Sequence, residues 1–172
     1  TSASLPSGPQ PLPPARIRAG MAYTFQITSI FARLSALENV TIAGRAVGRE
    51  GEAAAALDLV GLTGEAGSLA GEMAYGHQRL LEIAMGLVQA PTLLILDEPT
   101  QGLSDTEIEG FEALVRDLTP KTTVLLIEHN MNVVMSVADS VTVLDQGRVL
   151  AEGSPEAIRA DRMVQAAYLG SA

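Results

Sequence analysis

The chain has no cysteine and no tryptophan, and aromatic residues make up only 3% of it. Without cysteine, disulfides and thiolate metal sites are excluded, and a reducing compartment fits the composition. No apolar stretch approaches the roughly 18 residues that a membrane-spanning helix needs. The first residues also lack the charged and then apolar pattern of a secretory signal. We therefore expect a soluble, intracellular protein that reaches a membrane only through partners.

Basic residues are scarce, with 11 Lys and Arg against 20 Asp and Glu and a net charge of −9. This balance argues against a nucleic-acid partner or a surface for anionic lipid, although backbone N–H groups could still bind phosphate. A P-loop requires the pattern G-x-x-x-x-G-K-[ST]. The single lysine, Lys121, has Pro120 and Val115 at the two glycine positions. The 172 residues therefore contain no P-loop.

The remaining composition, 47% hydrophobic and 18% charged, is typical of a globular domain with a core. Five prolines within residues 1–20 predict a leader or linker there. The order strand, helix, strand, helix, strand from residue 93 to 145 predicts an α/β fold with a parallel sheet flanked by helices. We expect strands at 21–25, 93–96, 122–127, 140–144 and 149–151, the last pairing back as a hairpin, and helices at 36–46, 50–60, 80–88, 104–119, 130–138, 154–160 and 161–169.

The helical stretch from 36 to 90 interrupts the strand pattern and predicts a separate subdomain. We expect residues 21–35 and 91–153 to form the α/β core, with residues 154–172 adding C-terminal helices. Residues 63–71 are glycine-rich and predict a loop.

The most informative stretch is residues 93–100 (LLILDEPT), where a buried strand runs into Asp97 and Glu98. Ligands of parallel sheets bind at the carboxyl ends of the strands, where these acids lie. Alternate side chains of a strand point to opposite faces, so one acid could face a metal and the other a water. A core strand with an acidic end is the simpler alternative.

Three further segments carry possible chemistry. Residues 71–79 open an amphipathic helix, and the free N–H groups and dipole of a helix start favour an anion. From this segment alone, an ordinary helix start is the preferred interpretation. Ser104 is followed three residues later by Glu107, which predicts a capping box. Glu128 and His129 close the strand at 122–127.

Taken in order, these residues resemble the later two-thirds of an ATP-binding-cassette (ABC) ATPase. Phe25-Gln26 resembles the Q-loop of that family, and residues 73–79 (MAYGHQR) resemble its signature loop. Residues 93–98 resemble the Walker B strand, residues 102–105 the D-loop, and Glu128-His129 the switch histidine. Residues 24–27, 125–129 and 167–170 more narrowly resemble the ATPase subunits of branched-chain amino acid importers.

The resemblance implies a P-loop NTPase (RecA-like, ABC ATPase) fold with an inserted helical subdomain, lacking its first strands, and it implies ATP and Mg²⁺ as cofactors. It implies that Asp97 and Gln26 hold the metal, that Glu98 acts as general base, and that Gln26 orients the water. His129 would contact the γ-phosphate. A signature loop of Ala74, Tyr75, Gly76 and His77 would close over ATP on a second subunit, with Ser104 and Asp105 in the D-loop.

The implied partners are a second ABC ATPase subunit, as a homo- or heterodimer, and membrane permease subunits at the inner face of the cell membrane. Two positions depart from the family pattern, which usually has Ser at Ala74 and Gln at His77. Loss of that hydroxyl predicts a weaker contact to phosphate, worth roughly 1.5–3 kcal/mol. His77 either adds positive charge near the phosphate or is a surface residue.

Three functions are therefore open. The first is the ATPase subunit of an importer of branched-chain or related amino acids, inactive on its own without a P-loop. The second is a non-catalytic module that supplies its signature loop in trans to a partner ATPase. The third is an ABC-type protein outside transport, which the single helical subdomain and the importer-like C-terminus disfavour.

Overall fold

The computed structural model describes residues 20–23 and 30–169. Residues 1–19 and 24–29 lie outside this part, and with them the predicted Q-loop at Phe25-Gln26 and all of the predicted leader (residues 1–20) except Gly20. The strands are β1 (Met21–Tyr23), β2 (Leu93–Asp97), β3 (Thr123–Ile127), β4 (Val141–Asp145) and β5 (Arg148–Gly153). The α-helices are α1 (Ala36–Arg45), α2 (Ala53–Leu59), α3 (Tyr75–Leu87), α4 (Asp105–Leu118), α5 (Met131–Val137), α6 (Pro155–Ala160) and α7 (Arg162–Leu169).

Strands β1, β2 and β3 form a parallel sheet with β2 in the middle. The register pairs Leu93 with Met21 on one side and with Thr123 on the other. Leu94 and Leu96 of β2 are almost fully buried, as the continuous apolar run predicts. The predicted parallel pairing of these strands is confirmed, and it places Asp97 at the carboxyl end of the middle strand.

Three helices, α1, α2 and α3, contact one another and form a helical layer with its own buried residues. Val40 of α1, Leu57 of α2 and Leu81 of α3 are fully buried there. Helix α1 begins after Ser35, whose side chain accepts from the Glu38 N–H while the Glu38 carboxylate accepts from the Ser35 N–H. This reciprocal cap satisfies two N–H groups that a helix start otherwise leaves without a partner.

The segment from 50 to 72 is less regular than the sequence pattern indicates. The helix predicted at 50–60 starts as a 3-10 turn at Glu50–Glu52 and becomes α-helical only over Ala53–Leu59. Gly51 in that first turn has low helix propensity, and no side chain caps it. The predicted glycine-rich loop contains two more 3-10 turns, Thr63–Glu65 and Ala70–Glu72.

The chain divides into two compact units, one ending at Ile127 and one beginning at Glu128. In the second unit β4 and β5 pair as an antiparallel hairpin around Gln146 and Gly147, both with positive φ. Two positive-φ residues match the twist of a two-residue hairpin turn. The predicted hairpin is confirmed. The expectation that 140–144 continues the parallel sheet was wrong for the part of the chain that the structure describes.

Helices α5, α6 and α7 of the second unit surround a small apolar cluster of Val141, Ile158 and Val164. Met131 and Met135 pack against this cluster, so they fill the core as methionine commonly does. Across residues 20–23 and 30–169, no helix is both long enough and apolar enough to cross a bilayer.

Candidate functional site

Asp97 and Glu98 occupy the carboxyl end of the middle strand, as the sequence predicts. The Tyr23 hydroxyl, at the end of the neighbouring β1, donates to Asp97 Oδ2 at 3.2 Å. Burial, the negative charge of Asp97 and this hydrogen bond raise the pKa of the Tyr23 phenol. The strand end thus presents a half-buried carboxylate whose orientation is fixed from the adjacent strand.

Glu98 has a φ of 48°, in the left-handed region that residues other than glycine rarely adopt. Its N–H donates to the Ile127 carbonyl at 2.8 Å, so the end of β3 helps to hold this conformation. Strain of this kind costs about 1–3 kcal/mol and concentrates at functional sites. The backbone therefore turns at Glu98 and takes this carboxylate out of the strand alternation that the sequence pattern assumes.

The fit of this site to Mg²⁺ depends on how many protein ligands the ion needs. Within residues 20–23 and 30–169, no group of three or more acidic or histidine side chains converges as a metal centre would require. Mg²⁺ in nucleotide sites needs less, because it takes one or two carboxylates and completes its shell with phosphate oxygens and water. A single hard oxygen donor at Asp97 fits that arrangement.

The signature loop (residues 73–79) contains the start of helix α3. Ala74 is the N-cap residue and provides no side-chain cap, so the first N–H groups of α3 have no such partner. Gln78 Nε2 donates to the Met73 carbonyl at 3.0 Å and holds the preceding residue. The exposed Tyr75 and the buried Gly76 follow directly after the N-cap.

This loop packs against the D-loop segment, which we define as residues 99–105. A Cβ at Gly76 would lie 2.7 Å from the Gly102 carbonyl oxygen. A Cβ at Gly102, which has a φ of 82°, would lie 2.7 Å from Tyr75 Cδ1. Such separations are shorter than a real Cβ allows, so both positions require glycine. The structure therefore brings together two motifs that are 26 residues apart in the sequence.

His77 lies between two carboxylates. Its Nε2 is 2.7 Å from Glu107 Oε1, and its Nδ1 contacts Glu65 Oε1. It thereby connects α3, the turn Thr63–Glu65 and the first turn of α4. Both ring nitrogens of His77 are therefore engaged within the chain, while 32% of the side-chain surface stays exposed.

Ser104 and Asp105 lie at the start of α4. Ser104 forms the predicted capping box, with its N–H donating to Glu107 Oε2 at 2.7 Å and its hydroxyl donating to the same oxygen at 2.6 Å. These two hydrogen bonds, with a smaller contribution from the charge of His77, lower the pKa of Glu107. Ser104 is therefore committed to its own helix start.

His129 belongs to the second unit, whereas Asp97, Glu98 and the signature loop belong to the first. Its side chain is 72% exposed, and its backbone N–H donates to Glu128 Oε2 at 2.9 Å. Glu128 Oε2 also accepts from the Asn130 N–H at 3.1 Å. Glu128 thus shapes the turn that precedes α5 and presents His129 outward.

Two residues of this region were missed by sequence reasoning, Tyr23 and Gln101. Tyr23 could have been noticed because a tyrosine at a strand end combines an apolar ring with a hydroxyl that requires a partner. Gln101 carries no such signal, because its contact with the Tyr75 hydroxyl depends on how two distant loops meet.

Comparison with known proteins identifies the family. The family model described as "ABC transporter" matches residues 9–101, which is more than half of the chain. A second model, described as "Branched-chain amino acid ATP-binding cassette transporter", matches residues 148–172.

Two curated relatives carry names of the same kind. The chain is 40% identical to BraF of Pseudomonas aeruginosa, a high-affinity branched-chain amino acid transport ATP-binding protein, covering 95% of this chain and 73% of BraF. It is 37% identical to LivG of Escherichia coli, with the same description, covering 90% of this chain and 69% of LivG.

Among solved structures, the ADP conformation of MJ1267, an ATP-binding cassette of an ABC transporter, superposes with a TM-score of 0.78. The match has 24% sequence identity and covers 92% of this chain and 71% of that one, so it supports the fold alone. The α/β fold with a parallel sheet is thereby confirmed as that of an ABC ATPase. With the sequence matches, this means that the chain belongs to the ABC transporter ATP-binding family, in the branched-chain amino acid group.

Proposed function

We propose that this chain is the ATP-binding subunit of an ABC importer and couples ATP hydrolysis to uptake of branched-chain or related amino acids. The observation that carries this proposal is the pair Asp97 and Glu98 at the carboxyl end of the middle parallel strand, in a chain similar to BraF and LivG. That edge of a parallel sheet is where nucleotides bind.

The residues divide the chemistry between them. Asp97 would hold Mg²⁺, which would offset the negative charge of the phosphates. Glu98 polarises the attacking water as general base, and its fixed backbone turn presets where the carboxylate points. Gln26 orients that water or the metal, and His129 contacts the γ-phosphate.

The signature loop acts on a second ATPase subunit. Ala74, Tyr75, Gly76 and His77 present the start of α3 to ATP bound there, since free N–H groups and the helix dipole favour an anion. Ser104 and Asp105 line the same subunit interface. Permease subunits hold the assembly at the cytoplasmic face of the membrane, with residues 36–90 as the helical subdomain and residues 21–35 and 91–153 as the core.

The phosphate cradle has to come from sequence other than these 172 residues, because they contain no P-loop. We expect purified residues 1–172 alone to hydrolyse no ATP. A second candidate function follows from the same observation, in which the chain supplies only its signature loop to a P-loop-competent partner. In that case its addition raises the partner's ATPase rate, whereas Glu98→Gln in this chain leaves that rate unchanged.

Uptake of labelled amino acids by cells tests the importer proposal. We expect replacement of Glu98 by Gln in the gene to reduce uptake of labelled leucine, isoleucine and valine to background, because the general base is lost. Glu109→Gln is the matched control, since Glu109 is an exposed acid on helix α4. Unchanged uptake in the Glu98→Gln cells would refute the assignment of Glu98.

A further inference from the structure

The Tyr75 side chain reaches across to the D-loop segment in two ways. Its ring lies against Gly102, where even a Cβ would clash with Cδ1. Its hydroxyl contacts Gln101 Oε1 at 3.3 Å, which a phenol can reach only as the donor. The hydroxyl therefore contacts Gln101 and the ring contacts Gly102, which are consecutive residues of the D-loop segment.

The same hydroxyl is held from the other side by helix α3. Arg79 Nη2 donates to the Tyr75 oxygen at 3.2 Å, and the Arg79 guanidinium carbon lies 5.5 Å from the Tyr75 ring centroid. Arg79 is itself buried, at 2% exposure, and Nη1 pairs with the buried Glu82 at 3.2 Å. Tyr75 is thus the middle of a chain of contacts that runs from a buried ion pair in α3 to Gln101.

We propose that Tyr75 and Gln101 are positioning residues that fasten the signature loop to the D-loop segment, so that the two motifs of one subunit move as a single body. The close approach of the two loops supports this coupling, because a Cβ added at Gly76 or at Gly102 would clash with the other loop. The coupling of the signature loop to the D-loop segment is a property of this chain. Its consequence for the two nucleotide sites rests on the proposed function.

The consequence concerns two different nucleotides. In the proposed dimer the signature loop faces the ATP of the partner subunit, while the D-loop segment continues directly from Asp97 and Glu98 of its own subunit. A displacement at either segment is transmitted to the other through Tyr75. The arrangement therefore links the two nucleotide sites through contacts inside one chain.

Amide hydrogen exchange on the purified chain tests the coupling without nucleotide. Tyr75→Phe keeps the ring and removes the hydroxyl that joins Arg79 to Gln101. We expect exchange in peptides covering 99–105 to become roughly 5- to 30-fold faster, as the loss of one or two hydrogen bonds predicts. The Leu103 N–H, which donates to the Thr100 carbonyl at 3.2 Å, is the amide to follow. Unchanged exchange across 99–105 would overturn the proposal.

The reverse perturbation provides an independent check. Gly102→Ala places a Cβ against the Tyr75 ring and should accelerate exchange over 73–79, including the Gln78 N–H that donates to the Ala74 carbonyl. Gly61→Ala is the matched control, because Gly61 has a φ of 76° and a Cβ added there would meet no atom within 4 Å. If amide exchange over 73–79 accelerated equally in Gly102→Ala and Gly61→Ala, backbone strain alone would explain the effect, and the proposal would be overturned.

A kinetic experiment separates this inference from the proposed function. A P-loop-competent ABC ATPase subunit is mixed with this chain, and KM and kcat for ATP are measured with the wild type and Tyr75→Phe. We expect the variant to raise KM more than it lowers kcat, because a misplaced loop weakens binding to ATP in ground state and transition state alike. If the wild-type chain raised the ATPase rate of the partner and Tyr75→Phe gave the same KM for ATP, the positioning role of Tyr75 would be contradicted. If the wild-type chain did not raise the ATPase rate of the partner, the proposal that it supplies its signature loop in trans would be refuted. The hydrogen-exchange result alone would then decide whether the signature loop and the D-loop segment are coupled.

Discussion

Asn39 shows how one polar side chain can organise a loop. It is fully buried in helix α1, and its Oδ1 accepts from the Phe31 N–H at 2.7 Å. Its Nδ2 donates to the carbonyls of Phe31, Leu34 and Ser35, at 3.1, 3.4 and 2.9 Å. A buried amide of this kind satisfies backbone groups that water cannot reach.

We therefore expect Asn39→Ala to lower the free energy of unfolding by about 2–3 kcal/mol, because buried groups of the loop lose their partners. Urea denaturation followed by circular dichroism measures the change. Asn132→Ala is the control, since Asn132 is exposed on α5 and should change stability by no more than about 0.5 kcal/mol. An equal effect of the two substitutions would show that the buried network does not stabilise the loop.

Prediction of single residues from the sequence was limited by contacts between residues that are distant along the chain. The apolar run at 93–96 and the capping residue Ser104 depend on neighbours within four positions, so the pattern predicted them correctly. Asn39, Tyr23 and the left-handed backbone of Glu98 depend on groups that only the folded chain brings near. The sequence therefore predicted which acids end the strand and could not predict how they are held.

At the scale of elements, helix α4 is stabilised at its start by the Ser104 and Glu107 capping box. The hydrogen bonds from Ser104 lower the pKa of Glu107, so the carboxylate form is favoured in the folded chain. Stability gained in this way is complete above the usual value of 4.5 and is lost as the pH falls through the lower folded pKa.

Glu107→Gln should accordingly reduce the loss of stability on acidification, because glutamine can still cap the helix and carries no titrating charge. The urea midpoint at pH 6 and at pH 3.5 gives the slope for the wild type and the variant. Glu109→Gln, an exposed position of the same helix, controls for the change in net charge. Identical slopes for the wild type and Glu107→Gln would contradict the role of this cap.

Glycines within helices allow a second prediction at this scale. Gly110 is exposed in α4, and a Cβ there would meet no atom within 4 Å. Gly110→Ala should therefore raise the free energy of unfolding by about 0.5–1 kcal/mol, through helix propensity alone. In Gly86→Ala the new Cβ would lie 3.3 Å from Leu94 Cδ1, so a smaller gain or a loss is expected. Thermal unfolding of both variants makes the comparison, and a larger gain from Gly86→Ala would refute it.

Element boundaries were predictable where caps and periodicity agreed, as in α1 and α4. Boundaries were not predictable where a glycine interrupts the first turn of a helix, as Gly51 does at Glu50–Glu52. The strand at 140–144 and its hairpin partner at 149–151 were both recognised. Its place outside the described parallel sheet was not, because an apolar run carries no information about which further strands it pairs with. The turn at Gln146 and Gly147 determines that pairing, since it brings β5 back alongside β4.

At the scale of the whole molecule, each of the two compact units has its own buried apolar residues. The second unit is the smaller one, and in it Val141, Ile158 and Val164 form the buried cluster. In a cluster this small, each side chain contributes a large share of the stability of the unit, because few others can fill the cavity that its loss would leave. Ile158, at 1% exposure, joins helix α6 to the hairpin of β4 and β5.

We expect Ile158→Ala to destabilise the second unit by about 2–5 kcal/mol, the usual cost of truncating a buried isoleucine. Amide exchange in the β4–β5 hairpin should accelerate accordingly, because these strands lose the side chain against which they pack. Met163→Ala is the matched control, as Met163 is 62% exposed on α7 beside the buried Val164. If the hairpin exchanged equally fast in both variants, the cluster around Ile158 would not be what holds the second unit together, and the hairpin would have to be stabilised by its own cross-strand hydrogen bonds.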